Sequence, residues 1–262
     1  MRLSFCVPRR IIRLEGQPSI SFNAGGTGMR FMIAEALFRQ VPALCVGGVL
    51  ASSVDNSREV PAIASFLQEA VSRLAASDVA IREHPHVAVW RDAFARLGVN
   101  PNKYPSSIEA LGKRVLKGQP LPHINAVVDL VNALSVKYVI PMGAHDLDLL
   151  AGDVALRFSE PGDVFLAWGS AEPEAIDVGE VVYATGSHVR TRKWVWRQGE
   201  QAKVDSASQT IFFPIDAFYG HTDAAARAAQ EELADWLAQH LGAQVQLFWV
   251  DQHCPEVTLR LP

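Results

Sequence analysis

Apolar residues fall into two textures along the chain. Before about residue 140 they recur mostly at helical spacing. From about Val154 they come in short runs broken by Gly, Pro and acidic residues. VPALCVGGVLA (41–51) is an early exception: short, β-branched and Gly-containing, it predicts a buried strand. VDNSREVPAIASFLQEAVSRL then opens with capping residues and sets Ile63, Phe66, Leu67 and Val71 at helical spacing. HPHVAVWRDAFARLGVN (84–100) carries Val87, Trp90, Phe94 and Leu97 on one stripe and stops at Gly98. SSIEALGKRVLKG (106–118) and HINAVVDLVNALSVKYV (123–139) predict two more helices, the first serine-capped and closed by basic residues.

Beyond Val154 the runs DVALRFS, DVFLAWG, EVVYAT, VRTRKWVWRQGE and TIFFPI read as short strands. An Ala-rich amphipathic helix, TDAAARAAQEELADWLAQHLG (222–242), precedes a last strand, AQVQLFWVD. Helices come first and strands after. The expectation is a mixed α/β (α+β), bilobed single unit over residues 29–262, with a mostly antiparallel or mixed sheet. Residues 1–28 hold four arginines against one glutamate, have no continuous apolar run and end in a Gly-rich turn. They do not read as a secretory signal, and they are expected to be an extension outside the fold.

Composition narrows the class. With 49% hydrophobic and 20% charged residues, the 262-residue chain has the balance of a soluble globular protein. No apolar run is long enough to cross a membrane. Cys6, Cys45 and Cys254 are odd in number and lack metal-site spacing, so they read as free thiols in a reducing compartment, the cytoplasm. A net charge of −4 argues against coating by nucleic acid but allows one basic patch.

Residues 189–200 are the candidate patch. As one extended strand they would place Arg190, Arg192, Trp194 and Trp196 on a single face, with Arg197 opposite. Two guanidinium groups and two large π-surfaces suit a polyanion with stackable bases. The competing expectation is a cationic edge strand whose tryptophans pack on a neighbouring helix.

In IPMGAHDLDLLAG (140–152), His145, Asp146 and Asp148 lie close together, but no further ligand falls at useful spacing. No metal is expected. The two aspartates also suit a helix N-terminus, and His145 either acts on a proton or is a bonded structural residue. Glu200 ends the Arg/Trp stretch, where it is a candidate site carboxylate or a solvated ion pair. Asp129 and Asn132, three apart on an apolar helix, read as support for a site. There is no phosphate-binding loop, dinucleotide fingerprint, nucleophile elbow or zinc-protease motif, and no cofactor is expected.

INAVVDLVNALSVKYVIPMGAHDLDLLAGDVALR resembles a segment of the phenylalanyl-tRNA synthetase β subunit, of the form VVDxxNY…GQPxHAFDxxKxxGxIxVR. That segment belongs to the subunit's B3/B4 domain. The resemblance continues in order through PGDVFLAWG, GEVVYAT and GEQAKVDSASQTIFF, and covers roughly residues 90–220. It implies a B3/B4-like fold and hydrolytic editing of mischarged aminoacyl-tRNA, with the tRNA acceptor end as partner and no DNA or membrane. Asp129, Asn132, Pro141 and Asp146 match directly. The family's histidine position falls on Gly143, and His145, two residues on, is the candidate substitute. The family's glutamate falls on Glu200. The resemblance thus implies His145 and Glu200 as catalytic groups. Arg190, Arg192, Trp194, Trp196 and Arg197 depart from the synthetase pattern, which is small and glycine-rich there. With a tRNA acceptor end as partner they are the candidate RNA or substrate contacts, the tryptophans stacking the terminal adenosine and the arginines meeting phosphate. Asp129, Asn132, Gly143 and Asp146 would support the site. Two alternatives stand beside it: a non-catalytic module binding tRNA ends or amino acids, and a small-molecule hydrolase without RNA contact.

Overall fold

The computed structural model describes residues 10–12 and 28–260. In chain order the elements are β1 (Arg10–Ile12), β2 (Gly28–Ile33), α1 (Glu35–Gln40), β3 (Leu44–Ser52), α2 (Pro61–Ala75), α3 (Pro85–Arg96), α4 (Ser107–Leu116) and α5 (Ala126–Tyr138). Short strands follow: β4 (His145–Asp146), β5 (Val154–Phe158), β6 (Val164–Phe165), β7 (Glu174–Ala175), β8 (Val181–Thr185), β9 (His188–Arg192) and β10 (Arg197–Gln198). A 3₁₀ turn (Glu200–Ala202) leads to β11 (Ile211–Phe218), α6 (Asp223–Leu241), β12 (Gln244–Asp251) and β13 (Glu256–Arg260).

Two sheets result. The first is antiparallel throughout, in the order β1-β12-β3-β11-β4. The second, β13-β2-β5-β8-β9-β6-β7 with β10 beside β9, is mixed, because β2 pairs with β5 and β6 with β9 in parallel. The α+β expectation, helices ahead of most strands, holds. Arg10–Ile12 pairs with β12, so three residues of the segment expected to lie outside the fold extend the first sheet. The rest of that segment, apart from Gly28, lies outside the described residues.

The layers follow from period-two alternation in the central strands. On β3, Cys45, Val49 and Ala51 face one core with α2, α5 and α6, whereas Leu44, Val46 and Leu50 face the second sheet. β11 does the same: Ile211, Phe213, Ile215 and Ala217 point to the helices, and Phe212 and Phe218 point between the sheets. Gly48 lets the strands close, since a Cβ there would lie 2.3 Å from the Phe213 carbonyl oxygen and 2.4 Å from the Phe248 ring. α5 is buried over most of its length, and Asn125 caps it by accepting the Val128 N–H (3.0 Å). Between the sheets, α1 and α3 close the interior with Leu37, Phe38, Trp90 and Phe94.

Three expectations are corrected. The Arg/Trp stretch is not one strand: after Arg192 the chain enters left-handed backbone at Lys193 (φ 47°) and Trp194 (φ 63°), then folds back so that Arg197 pairs with Arg192. Residues 147–150 are a bend, not the first turn of a helix. Cys45 is a buried free thiol, but Cys254 is disulfide-bonded, so the cysteines do not all support a reducing compartment. Among the described residues no helix is long and apolar enough to cross a membrane.

Candidate active site at the inner face of β11

The even-numbered side of β11 is where polar chemistry enters the sandwich. Between Phe212 and Phe218 it carries Pro214 and Asp216, and both line a cavity of about 120 Å³. Met142, Gly143 and His145 form one wall, Tyr183 and Thr191 another, and Trp194 to Gln198 a third. Arg197 and Gln198 are exposed, so the cavity opens to solvent on their side.

Asp216 is 2% exposed. The Tyr183 hydroxyl (2.7 Å) and the Trp194 indole N–H (2.8 Å) both donate to its Oδ1. Among the described residues no donor reaches Oδ2 and no cation pairs with the carboxylate. Burial pushes its pKa up to about 6, against the pull of the Tyr183 and Trp194 bonds. The left-handed turn makes this arrangement. A non-glycine residue with positive φ is uncommon, and two in succession cost on the order of 1–3 kcal/mol each. The contacts that hold Trp194 there are its ring against Trp90 (4.8 Å between centroids), its indole bond to Asp216, and its N–H donated to the Val181 carbonyl.

His145 is buried, and its Nε2 lies 3.4 Å from the Thr191 hydroxyl oxygen. Among the described residues, Nδ1 is buried without a partner. Burial, with help from the Arg190 charge, draws its pKa down to about 3, so the imidazole is neutral at neutral pH. It can orient a hydroxyl or a water but holds a proton poorly. Gly143 and His145 occupy one space. A Cβ at position 143 would fall 3.2 Å from His145 Nε2 and 3.2 Å from the Pro214 ring. The histidine tip therefore fills the room that a side chain at 143 would need.

The remaining candidates separate. Arg190 is fully buried: it donates to the Thr185 hydroxyl (2.8 Å), the Asp146 carbonyl (2.8 Å) and the Leu150 carbonyl. It clamps the 146–150 bend and cannot meet a phosphate. Asp146 braces the same bend by accepting the Asp148 and Leu149 N–H groups (2.6 and 3.0 Å) and the Ser208 hydroxyl. Arg192 is tied to Glu180 (2.6 Å) and Glu174 (3.0 Å), and Lys193 to Glu180 (2.7 Å). Trp194 is core, packed against Trp90 of α3 as the competing expectation had it, but β9 is an interior strand of its sheet and not an edge. Trp196 lines the cavity with its ring edge-on to Tyr104 (4.7 Å). Arg197 is exposed and has no carboxylate partner among the described residues.

Glu200 does not line the cavity. It begins the 3₁₀ turn, pairs with Lys203 (3.3 Å) and accepts the Gly169 N–H (3.3 Å). The Gln198 amide ties that turn to the His145 segment by donating to the Ala144 (2.6 Å) and Ala202 (2.7 Å) carbonyls. Asp129 and Asn132 are also elsewhere. Asp129 is buried and accepts from His123 (2.6 Å), which reaches Glu59 (3.1 Å) on its other nitrogen. No bond forms at the Asn132 side chain among the described residues. No three His, Cys, Asp or Glu side chains gather as a metal ion would require, again among the described residues.

Sequence reasoning missed Asp216, Tyr183, Thr191 and Trp168. Asp216 did carry a signal: it is the lone charge in the apolar strand IFFPIDAF. Trp168, 52% exposed, lies beside the 3₁₀ turn with the Lys203 ammonium 5.2 Å over its ring.

The family model described as the B3/4 domain matches residues 89–248, more than half of the chain. The chain belongs to the B3/4 domain family. The matched span runs from α3 into β12 and includes every cavity residue named above. Among solved structures, this B3/4 protein is similar to an N-terminal fragment of the phenylalanyl-tRNA synthetase β-subunit from Pyrococcus horikoshii. The identity is 8%, the TM-score 0.44, and the match covers 86% of this chain and 52% of that one. The chain thus spans about half the length of that structure. No curated protein matches.

Proposed function

We propose that this B3/4 protein is a trans-editing hydrolase, removing the amino acid from mischarged aminoacyl-tRNA by water attack on the ester. One observation carries the reading: the Gly143/His145 pair, which stands where the resemblance locates a catalytic histidine, lines a cavity built by strained backbone. An aminoacyl ester is already activated. Hydrolysis therefore needs a positioned water and donors for the developing oxyanion, not a metal or a covalent nucleophile. His145, neutral and within reach of Thr191, orients that water or donates to the oxyanion. Glu200 is left out of the reacting centre in this reading, because its side chain is not among the cavity walls.

The RNA contact moves accordingly. Arg190, Arg192 and Trp194 are engaged within the protein, which leaves Arg197 at the cavity and the exposed ring of Trp168 by the 3₁₀ turn. One base stacked on Trp168 would contribute about 1–3 kcal/mol.

The test is deacylation of a panel of correctly charged and mischarged aminoacyl-tRNAs. Rapid release of one amino-acid class establishes the activity. Retained tRNA binding without release favours the alternative, a non-catalytic module that recognises tRNA ends. The bare Gly143 position and the weak basicity of His145 are its support.

A further inference from the structure

A carboxylate on an interior strand is costly to keep. Removed from water, it needs hydrogen bonds on both oxygens or a counter-ion nearby. Asp216 has two donors, and both go to Oδ1. No lysine, arginine or histidine pairs with it among the described residues. Around the same cavity stand three aromatic side chains, Tyr183, Trp194 and Trp196.

We infer that Asp216 and these aromatic walls form a binding site for a small primary ammonium group. The carboxylate supplies the opposite charge, and the rings supply the attraction of their π-systems for a desolvated cation. Identifying that group as the α-ammonium of the aminoacyl ester rests on the functional reading above. It would then anchor the amino acid while the ester carbon lies toward His145 and Thr191. Size agrees: about 120 Å³ is well below the roughly 300–1,000 Å³ of drug-sized sites, so the cavity admits an ammonium with a short substituent and no nucleotide. A pKa near 6 leaves the carboxylate mostly ionised at neutral pH, ready for a cation.

The Trp194 indole N–H, bonded to Asp216, is a built-in reporter. Isopropylammonium chloride is titrated into the protein at neutral pH while the Trp194 indole resonance is followed, with isopropanol as the neutral isostere. The expected result is a saturable shift with the amine, at least tenfold weaker with the alcohol, and lost in Asp216→Asn. Equal responses to both, none to either, or a response surviving in a folded Asp216→Asn would overturn the site. If that variant does not fold, the amine–alcohol comparison in the wild type decides alone.

Deacylation of aminoacyl-tRNA with and without N-acetylation separates this inference from the activity. Hydrolysis of the free-amine form only supports both. Equal hydrolysis of both forms overturns the α-ammonium anchor and leaves the activity standing. Amine binding without hydrolysis of either form supports the ammonium site and removes the deacylase reading.

Discussion

The two sides of β11 make different proteins of one strand. Its odd residues, Ile211, Phe213, Ile215 and Ala217, meet α2, α5 and α6 in an apolar core. Its even residues include Pro214 and Asp216, and they face a cavity with a buried histidine, a buried carboxylate and left-handed backbone. One side therefore obeys every rule of burial. The other breaks several within a few ångströms, and local rule-breaking of this kind concentrates where a protein does something besides fold.

Substitutions should split along that line. The largest loss is expected for Phe213→Ala on the helical side, about 3–5 kcal/mol by cavity formation, read from chemical denaturation. Arg190→Ala comes next. It strips a donor from the Asp146 and Leu150 carbonyls, so a loss of about 1–3 kcal/mol is expected, with tRNA binding by the folded fraction unchanged. Weakened binding in the folded fraction would return Arg190 to the RNA surface.

Asp216 should have the opposite sign. Its pKa is about 6 in the fold against an ordinary 3.8. Between those values the folded protein keeps a proton that the unfolded chain has released. Its contribution therefore falls as pH rises from about 4 to 6 and stays low above that, by about 3 kcal/mol at most. Asp216→Asn should remove that decline and melt higher than wild type at pH 8. A lower melting temperature would mean that the carboxylate is structural.

Gly143→Ala should cost about 1 kcal/mol, the low end of overpacking, since the Cβ presses on His145 Nε2 and Pro214 at 3.2 Å, and it should disturb His145 and slow deacylation. Smallest for stability is Trp168→Ala, expected within about 0.5 kcal/mol of wild type. Its effect should appear in tRNA affinity instead.

Much of this division was legible in the residue pattern. Helical spacing located α2 to α6, and short β-branched runs located β3 and most later strands, because a buried face imposes its period on the sequence. The turn at Lys193–Trp194 was not legible. Nothing local demands positive φ there, and the conformation is set by long-range contacts to Trp90, Val181 and Asp216. That one turn moved Trp194 from the surface to the core and took Trp196 off the expected strand face. Arg190 misled for a related reason: a guanidinium that satisfies backbone carbonyls resembles, in sequence, one waiting for phosphate. Gly143 was found only through the resemblance, whose histidine position falls on it, and His145 was the candidate two residues on; both line the cavity.

The most direct test is single-turnover deacylation of the most rapidly hydrolysed aminoacyl-tRNA by wild type, His145→Ala, Asp216→Asn and Glu200→Ala, each verified as folded. If the chemistry belongs to the inner face of β11, the first two variants slow release at least tenfold while Glu200→Ala stays within a few-fold of wild type. Full activity in both cavity variants, with loss in Glu200→Ala, would put the reacting ester at the rim and contradict the account.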